Sequence, residues 1–530
     1  MTEGVYPVRQ GVDRRELLRW GGAALLGIPL LAACGGNGGS PGSAGAPGEV
    51  RRGGRLTVGM ITAGRTETLD VRKGFTLPDT ARNYQLYEGL YALDSNNKPV
   101  PALAASGEHN AEATLWTFRI RDGVQFHNGK PLTAEDVLYT IRSWASEESY
   151  FNPVVGPLID FAALRTRDPM TVEVPLHSGI AELPSLLAYY TAGVIPDGFT
   201  DFDTPVGTGP FVYESFQPGT RSVFSANKNY WQEGKPYVDE LVINSSFSDD
   251  EARLNALLAQ QIDVAPQLPF TQARQYSGGN QFRVSVGNGP QCQMFYMRVD
   301  EGPARDVRVR QAMRLLVDRD AMIQNVLAGF GELGNDLPGY GLEYFAGDLT
   351  RSRDVDQARS LLRAAGQQDL RIELITSPIT AGFVESATLL KQQAAEGGVT
   401  VDITRQDPSV FFTDAGGYMR NTFSQDYWTL IPSLTAFYLQ GLVTDAPYNV
   451  THWGGAAADG QVRAAIAETD PVRAADRWRD VQQAQFDEGG YIIWSAQPYI
   501  DGYRNAVQGI EATPSGFANN YDFKSAWLTQ

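Results

Sequence analysis

Residues 116–137, WTFRIRDGVQFHNGKPLTAEDV, hold the clearest local grammar in the chain. From Leu115 the residues alternate, with Trp116, Phe118 and Ile120 set apart by polar neighbours, the period of a half-buried strand. The run stops at Asp122-Gly123, a hairpin turn signal. Thr133 then stands three residues before Asp136, the spacing of a capping box, and Val137, Leu138, Ile141 and Trp144 follow on one helical face. A strand, a turn and a capped helix in one short stretch predict a mixed α/β fold.

The same alternation extends outward. Arg55-Leu-Thr-Val-Gly-Met-Ile reads as a strand, and residues 205–224 as turn, strand and turn. Residues 251–261 carry Leu254, Leu257 and Leu258 on one helical side, followed by a short strand at Ile262-Asp-Val-Ala. In the second half, Val309, Ala312, Met313 and Leu316 mark an amphipathic helix, and Asp318 caps its successor, which ends at Gly329. A strand over residues 371–375, a helix over 383–395 and a strand over 399–403 give the order expected of α/β layers with parallel pairing.

Composition excludes several function classes. The 530 residues, 42% apolar and 20% charged, describe a globular chain of about three folding units. A net charge of −17 opposes a grip on nucleic-acid phosphates, so no nucleic-acid partner is expected. Two cysteines (Cys34, Cys292) and four scattered histidines (His109, His127, His177, His452) build no zinc or iron–sulfur ligand set, so no metal and no cofactor is expected. Cys292 reads as a buried apolar residue. Gly123 to Lys130 has one residue too many for a P-loop and Pro131 where the hydroxyl should stand, while Gly207-Thr-Gly209 lacks the third glycine of a dinucleotide loop. No nucleophile elbow between strand and helix, no H-E-x-x-H pair and no S-x-x-K with companion S-D-N and K-T-G occurs, so no enzyme is expected. The arginines from Arg305 to Arg319 alternate with acids, as on a solvated helix face.

The N-terminus reads as an address. Arg14-Arg15 precedes an apolar run from Trp20 to Ala33 that is too short to span a bilayer but suits a signal-peptide core. The paired arginines resemble a twin-arginine export signal, and Leu31-Ala-Ala-Cys34-Gly is similar to a bacterial lipobox. These resemblances imply removal of residues 1–33, lipidation of Cys34, and a flexible Gly/Ser/Pro tether over 34–54. The expected location is extracytoplasmic, lipid-anchored to the periplasmic side of the cell membrane.

Four ordered segments resemble the oligopeptide- and dipeptide-binding proteins of ABC importers, solute-binding family five. They are Tyr87-Glu-Gly-Leu-Tyr91 continuing to Pro99-Val-Pro-Ala-Leu-Ala104; the stretch 116–137; Gly207-Thr-Gly-Pro-Phe211 ending at Asn227-Lys-Asn-Tyr-Trp231; and Arg305-Asp-Val-Arg-Val-Arg-Gln-Ala-Met313 with Asp318-Arg-Asp. The resemblance implies a two-lobed class II periplasmic-binding-protein clamp of the large cluster, with an extra subdomain at about 75–205. Lobe one would comprise 55–287 plus 500–530 and lobe two 288–499, with hinges at Gly287-Asn288-Gly289-Pro290 and Ser495-Ala-Gln-Pro498. It further implies a monomer that captures a small solute, without chemistry, for ABC permease subunits served by separate cytoplasmic ATPases.

In peptide-binding relatives a lobe-two aspartate pairs with the ligand's α-ammonium, and an arginine six residues earlier can meet a carboxylate. Asp426 and Arg420 have that spacing, although Ile431-Pro432 replaces the usual Asp-Pro or Glu-Pro, and Arg298 stands where the family has asparagine. Asp426 could instead be a strand residue one register away. Tyr427, Trp428 and Trp494 are candidates for stacking on a ligand, and Asn288 for contact at the hinge. A peptide-like solute, an oligosaccharide and another polar solute all remain open, as do a sensing lipoprotein and an exported hydrolase.

Overall fold

Arg55–Ile61 buries Leu56, Val58 and Met60 and pairs in parallel with Glu240–Phe247, as its alternation requires. These two strands sit in a nine-stranded sheet whose path runs Phe423–Trp428, Arg283–Met297, Tyr491–Tyr503, Val264–Ala265, Arg55–Ile61, Glu240–Phe247, Arg221–Ala226 and Phe211–Gln217. Glu332–Leu333 joins it on Tyr491–Tyr503. The computed structural model describes residues 49–529; Arg14, Arg15, Cys34 and the segment 1–33 lie outside the described residues.

Two long antiparallel strands, Arg283–Met297 and Tyr491–Tyr503, organise the clamp. They meet from Arg283↔Tyr503 to Asn288↔Pro498 and again from Cys292↔Ala496 to Tyr296↔Tyr491. The register breaks between Asn288 and Cys292, a span that overlaps the segment 287–290. The glycines there answer to close approach: a Cβ on Gly287 would lie 2.4 Å from the Thr513 backbone nitrogen, and one on Gly289 2.5 Å from the Tyr499 ring. The C-terminal segment thus runs directly against the crossover.

The helices begin where short polar residues can cap them. Thr133 and Asp136 form the expected box on Ala134–Ser143, and Asp318 accepts from the Ala321 N–H to start Arg319–Val326. Arg371–Thr376 and Thr400–Arg405 pair in parallel, joined through the helix Phe383–Glu396, as expected. The turn at Asp122-Gly123 differs. Leu115–Ile120 takes as partners Ala104–His109 before it and Thr171–Pro175 after it, so residues 121–133 form a loop closed by a single Gln125↔Pro131 bridge.

That four-stranded sheet is the core of the extra subdomain, with Ala134–Ser143 packed on it. Its apolar cluster is continuous with Phe437, Tyr438, Trp478 and Tyr491 of the lobe-two side. The Ala181 N–H bonds the Ile466 carbonyl at 2.9 Å, Asn97 Nδ2 the Ile431 carbonyl at 3.2 Å, and the Thr435 hydroxyl donates to Glu182. Residues 97–182 therefore touch residues 431–466 directly. No helix among the described residues is long and apolar enough to cross a membrane.

Candidate functional site

Asp426 occupies the middle of Phe423–Trp428, opposite Met294, and is 3% exposed. Tyr418 Oη donates to its Oδ2 at 2.9 Å and the Tyr427 N–H to its Oδ1 at 2.7 Å. Burial pushes its pKa up to about 7, opposed only by those two hydrogen bonds. The carboxylate in turn raises Tyr296, Tyr418, Tyr491 and the Cys292 thiol, groups already raised by burial. A carboxylate has about four acceptor positions, so two remain on Asp426.

Arg420 is not brought to this carboxylate. Its side chain is 62% exposed, donates to the Asp414 carbonyl and lies 3.5 Å from the Asp414 carboxylate. The cause is local: Gly417, at φ +74°, turns the chain, and the Arg420 N–H closes back on the Gly417 carbonyl at 2.7 Å. The expected arginine–aspartate pair is therefore one buried acid and one outward-facing base.

The aromatic candidates divide. Tyr427 is 42% exposed and stands edge-on to Phe383 and Phe412 at 6.2 and 5.7 Å. Trp428 packs at 4.7 Å on Phe437 and 6.1 Å from Tyr448, and its Nε1 has no hydrogen-bond partner. Trp494 is 0% exposed, packed with Phe295, Met313 and Leu316 in the lobe-two core, so it is not placed to stack on a solute. Its strand is buried on both faces, which hides from the sequence which side a residue serves. Asn288 is exposed at the register break and donates to Glu332 Oε1 at 3.2 Å.

Sequence reading missed a set of tyrosines outside this strand. Tyr189 and Tyr190 lie 4.5 Å apart and half buried. Tyr189 and Tyr499 are close enough to raise Tyr84, Tyr448 to raise Tyr189, and Tyr150 to raise Tyr448, burial being the larger cause in each. Tyr499 Oη accepts the Leu430 N–H at 3.2 Å, and the Leu430 side chain packs into the lobe-one core. Of these, Tyr448 lies in ring contact with Trp428 at 6.1 Å, two residues along the strand from Asp426. The adjacent Tyr189-Tyr190 pair was the one visible signal.

Two α/β halves joined by paired crossover strands, with an aromatic seam between them, define a periplasmic-binding-protein clamp. The chain belongs to the bacterial extracellular solute-binding proteins, family 5, whose middle region matches residues 98–450. It is 23% identical over 446 residues to the nickel-binding periplasmic protein of Escherichia coli (strain K12), covering 77% of this chain and 83% of that one. It is 22% identical over 474 residues to the glutathione-binding protein GsiB of Pectobacterium atrosepticum, covering 84% and 88%. The fold superposes with a TM-score of 0.77 on the ABC transporter-associated periplasmic binding protein DppA from Helicobacter pylori in complex with the peptide STSA. That match covers 91% of this chain and 99% of that one at 18% identity.

Proposed function

We propose that this chain is the extracytoplasmic solute-binding component of an ABC importer, enclosing a peptide-like solute between its lobes and delivering it to a membrane permease. Hinges at 287–290 and 495–498 would let 55–287 with 500–530 rotate against 288–499. The observation that carries the ligand class is Asp426: a buried carboxylate whose hydrogen-bond partners are a phenol and a backbone amide, with no cation. A ligand ammonium would supply the missing charge and use the two free acceptor positions in a charge-assisted bond. Closure would follow because only the closed state surrounds the ligand from both sides.

A nickel complex is the second reading, favoured by the names of two relatives and by two structural neighbours solved with nickel–histidine complexes. Among the described residues no group of three metal-ligating side chains assembles, so a metal would have to bring its own organic ligands.

Native mass spectrometry of the purified protein identifies the solute. Titration calorimetry of that solute against Asp426→Asn should show a loss of about 2–5 kcal/mol, the cost of an unpaired buried charge. An unchanged affinity sinks the ammonium role. We also propose export through Arg14 and Arg15 and anchoring through Cys34. Cys34→Ala should move the protein from the membrane to the soluble fraction, and unchanged fractionation rules the anchor out.

A further inference from the structure

We propose that Glu182 and Thr435 form a proton-controlled latch: it holds residues 97–186 against residues 431–478 in acid and releases them as pH rises. The latch goes beyond the importer reading and does not depend on which solute is bound.

The contact joins segments far apart in sequence around an acid. Glu182 stands at the start of the short helix Leu183–Leu186 and accepts the hydroxyl of Thr435, in the first turn of Leu434–Gly441. One residue earlier the Ala181 N–H bonds the Ile466 carbonyl at 2.9 Å, and a Cβ on Gly179 would lie 3.2 Å from that of Ala467. The two backbones are thus pressed together beside Glu182. Next to them lies a cavity of about 220 Å³, lined by His109 and Glu182 of the first segment, Glu468 and Trp478 of the second, and Glu343 and Tyr344. No lysine or arginine lines it.

Charge decides what this contact does. Glu468 is answered by Arg473 at 2.8 Å and Arg477 at 3.1 Å. Arg463 lines a separate small cavity with Ser178 and Ile180. His109 is exposed, meets the Asn110 carbonyl at 2.8 Å and packs on Trp116 at 4.7 Å. Glu182 has only Thr435, and the exposed Glu343 shares its cavity. Burial pushes Glu182 up to about 7 and Glu343 adds to that, while Thr435 opposes it. Tyr344, raised to about 12 chiefly by burial, stays neutral throughout. The folded value of Glu182 lies above the ordinary 4.5, so its contribution is fully present below about pH 4.5 and is lost as pH rises to about 7. The neutral acid keeps Thr435 at no cost in buried charge, whereas the carboxylate faces Glu343 with no cation.

Hydrogen exchange of the full-length protein in detergent, corrected for the intrinsic rate at each pH, reads the latch at residues 178–186 and 462–469. Protection there should fall at least about tenfold between pH 5.5 and pH 8. In Glu182→Gln, which keeps an acceptor for Thr435 but cannot titrate, it should change less than twofold. Asp426, raised to the same range, is intact in that variant, so any fall that remains there is not the latch's. Glu343→Gln should show a smaller fall than the parent, and His109→Gln the same fall. Protection that is constant with pH in the parent, or that falls as far in Glu182→Gln, overturns the latch. Loss of the response in His109→Gln assigns it to the imidazole and overturns the latch as well. Should Glu182→Gln melt below the parent at pH 5.5, the exposed Glu343→Gln decides: a fall equal to the parent's overturns the latch, and a smaller one upholds it.

Discussion

Among the carboxylates buried in this clamp, the Glu67–Asp79 pair and Asp426 are built on opposite principles. In lobe one, Glu67 and Asp79 close around Arg82, whose guanidinium meets Glu67 at 2.7 Å and Asp79 at 3.3 Å. Ser222 and Ser245 take further donors at 2.6 and 2.8 Å, and Asp79 also caps the helix Leu77–Leu86 through Thr76. In lobe two, Asp426 is as deeply buried yet has only a phenol and a backbone amide. Burial raises Asp79 as well, but there Arg82 and several hydrogen bonds pull it back. Removing charge from water costs several kcal/mol per ion, and of these two sites only the cluster around Arg82 repays that within the chain.

Breaking the satisfied cluster should have the largest effect. Arg82→Met keeps the side-chain stem but strands two buried acids, so the denaturation midpoint should fall with a stability loss of about 3–5 kcal/mol. Adding Glu67→Gln and Asp79→Asn should recover much of it, since replacing a buried network by neutral groups is far milder than halving it. A single variant as stable as the parent would mean that water already reaches the cluster.

Asp426→Asn should do the reverse to the ligand-free protein. The folded pKa of about 7 stands above the ordinary value of 3.8, so the fold holds this proton more tightly than the unfolded chain does. The contribution of Asp426 to stability is therefore fully present below about pH 4 and is lost as pH rises to about 7. Asn carries no charge and escapes that loss, less one weakened hydrogen bond, so at pH 8 it should melt higher by about 1–3 kcal/mol of stability. Ligand affinity should take the opposite course in the parent, rising as pH increases toward 7, because only the carboxylate can pair with an ammonium. Thermal melts of both proteins at pH 4 and pH 8 separate the two effects; an equal pH dependence would show that Asp426 does not titrate in this range.

The two sites also differ in how well they can be read from residues alone. The capping box at Thr133 and Asp136 and the parallel pair around Phe383–Glu396 are local patterns, and both form as the residue spacing requires. Asp426 is legible through motif spacing within one segment. Its donor Tyr418 is not, because it sits in a turn-rich loop where no periodicity marks a side chain's direction. The partners of Leu115–Ile120 are hidden for a related reason: pairing with Thr171–Pro175 spans the whole subdomain, and the Asp122-Gly123 signal reports a turn but not which strand the chain will pair with beyond it. Trp494 misleads because alternation carries no information in a strand buried on both sides. Elements are set by neighbours in sequence, whereas the site depends on which segments tertiary packing brings together.

The smallest expected effect belongs to Arg420, and it tests the contrast most directly. If the base belongs to the surface, Arg420→Ala removes an exposed contact with Asp414, and stability should change by no more than about 0.5 kcal/mol. Affinity for the native solute should stay within about twofold, since no cleft group would lose a partner. If instead the turn at Gly417 opens when ligand enters, Arg420 would swing inward, meet a ligand carboxylate and complete a pair like that of the lobe-one cluster. A loss of about tenfold, or about 1.4 kcal/mol, would then result for carboxylate ligands but not for their amides. Titrating both ligand forms against both proteins gives a cycle in which the coupling between Arg420 and the carboxylate is read without reference to the absolute affinities. A coupling near zero leaves lobe two with a single charge for the ligand, at Asp426.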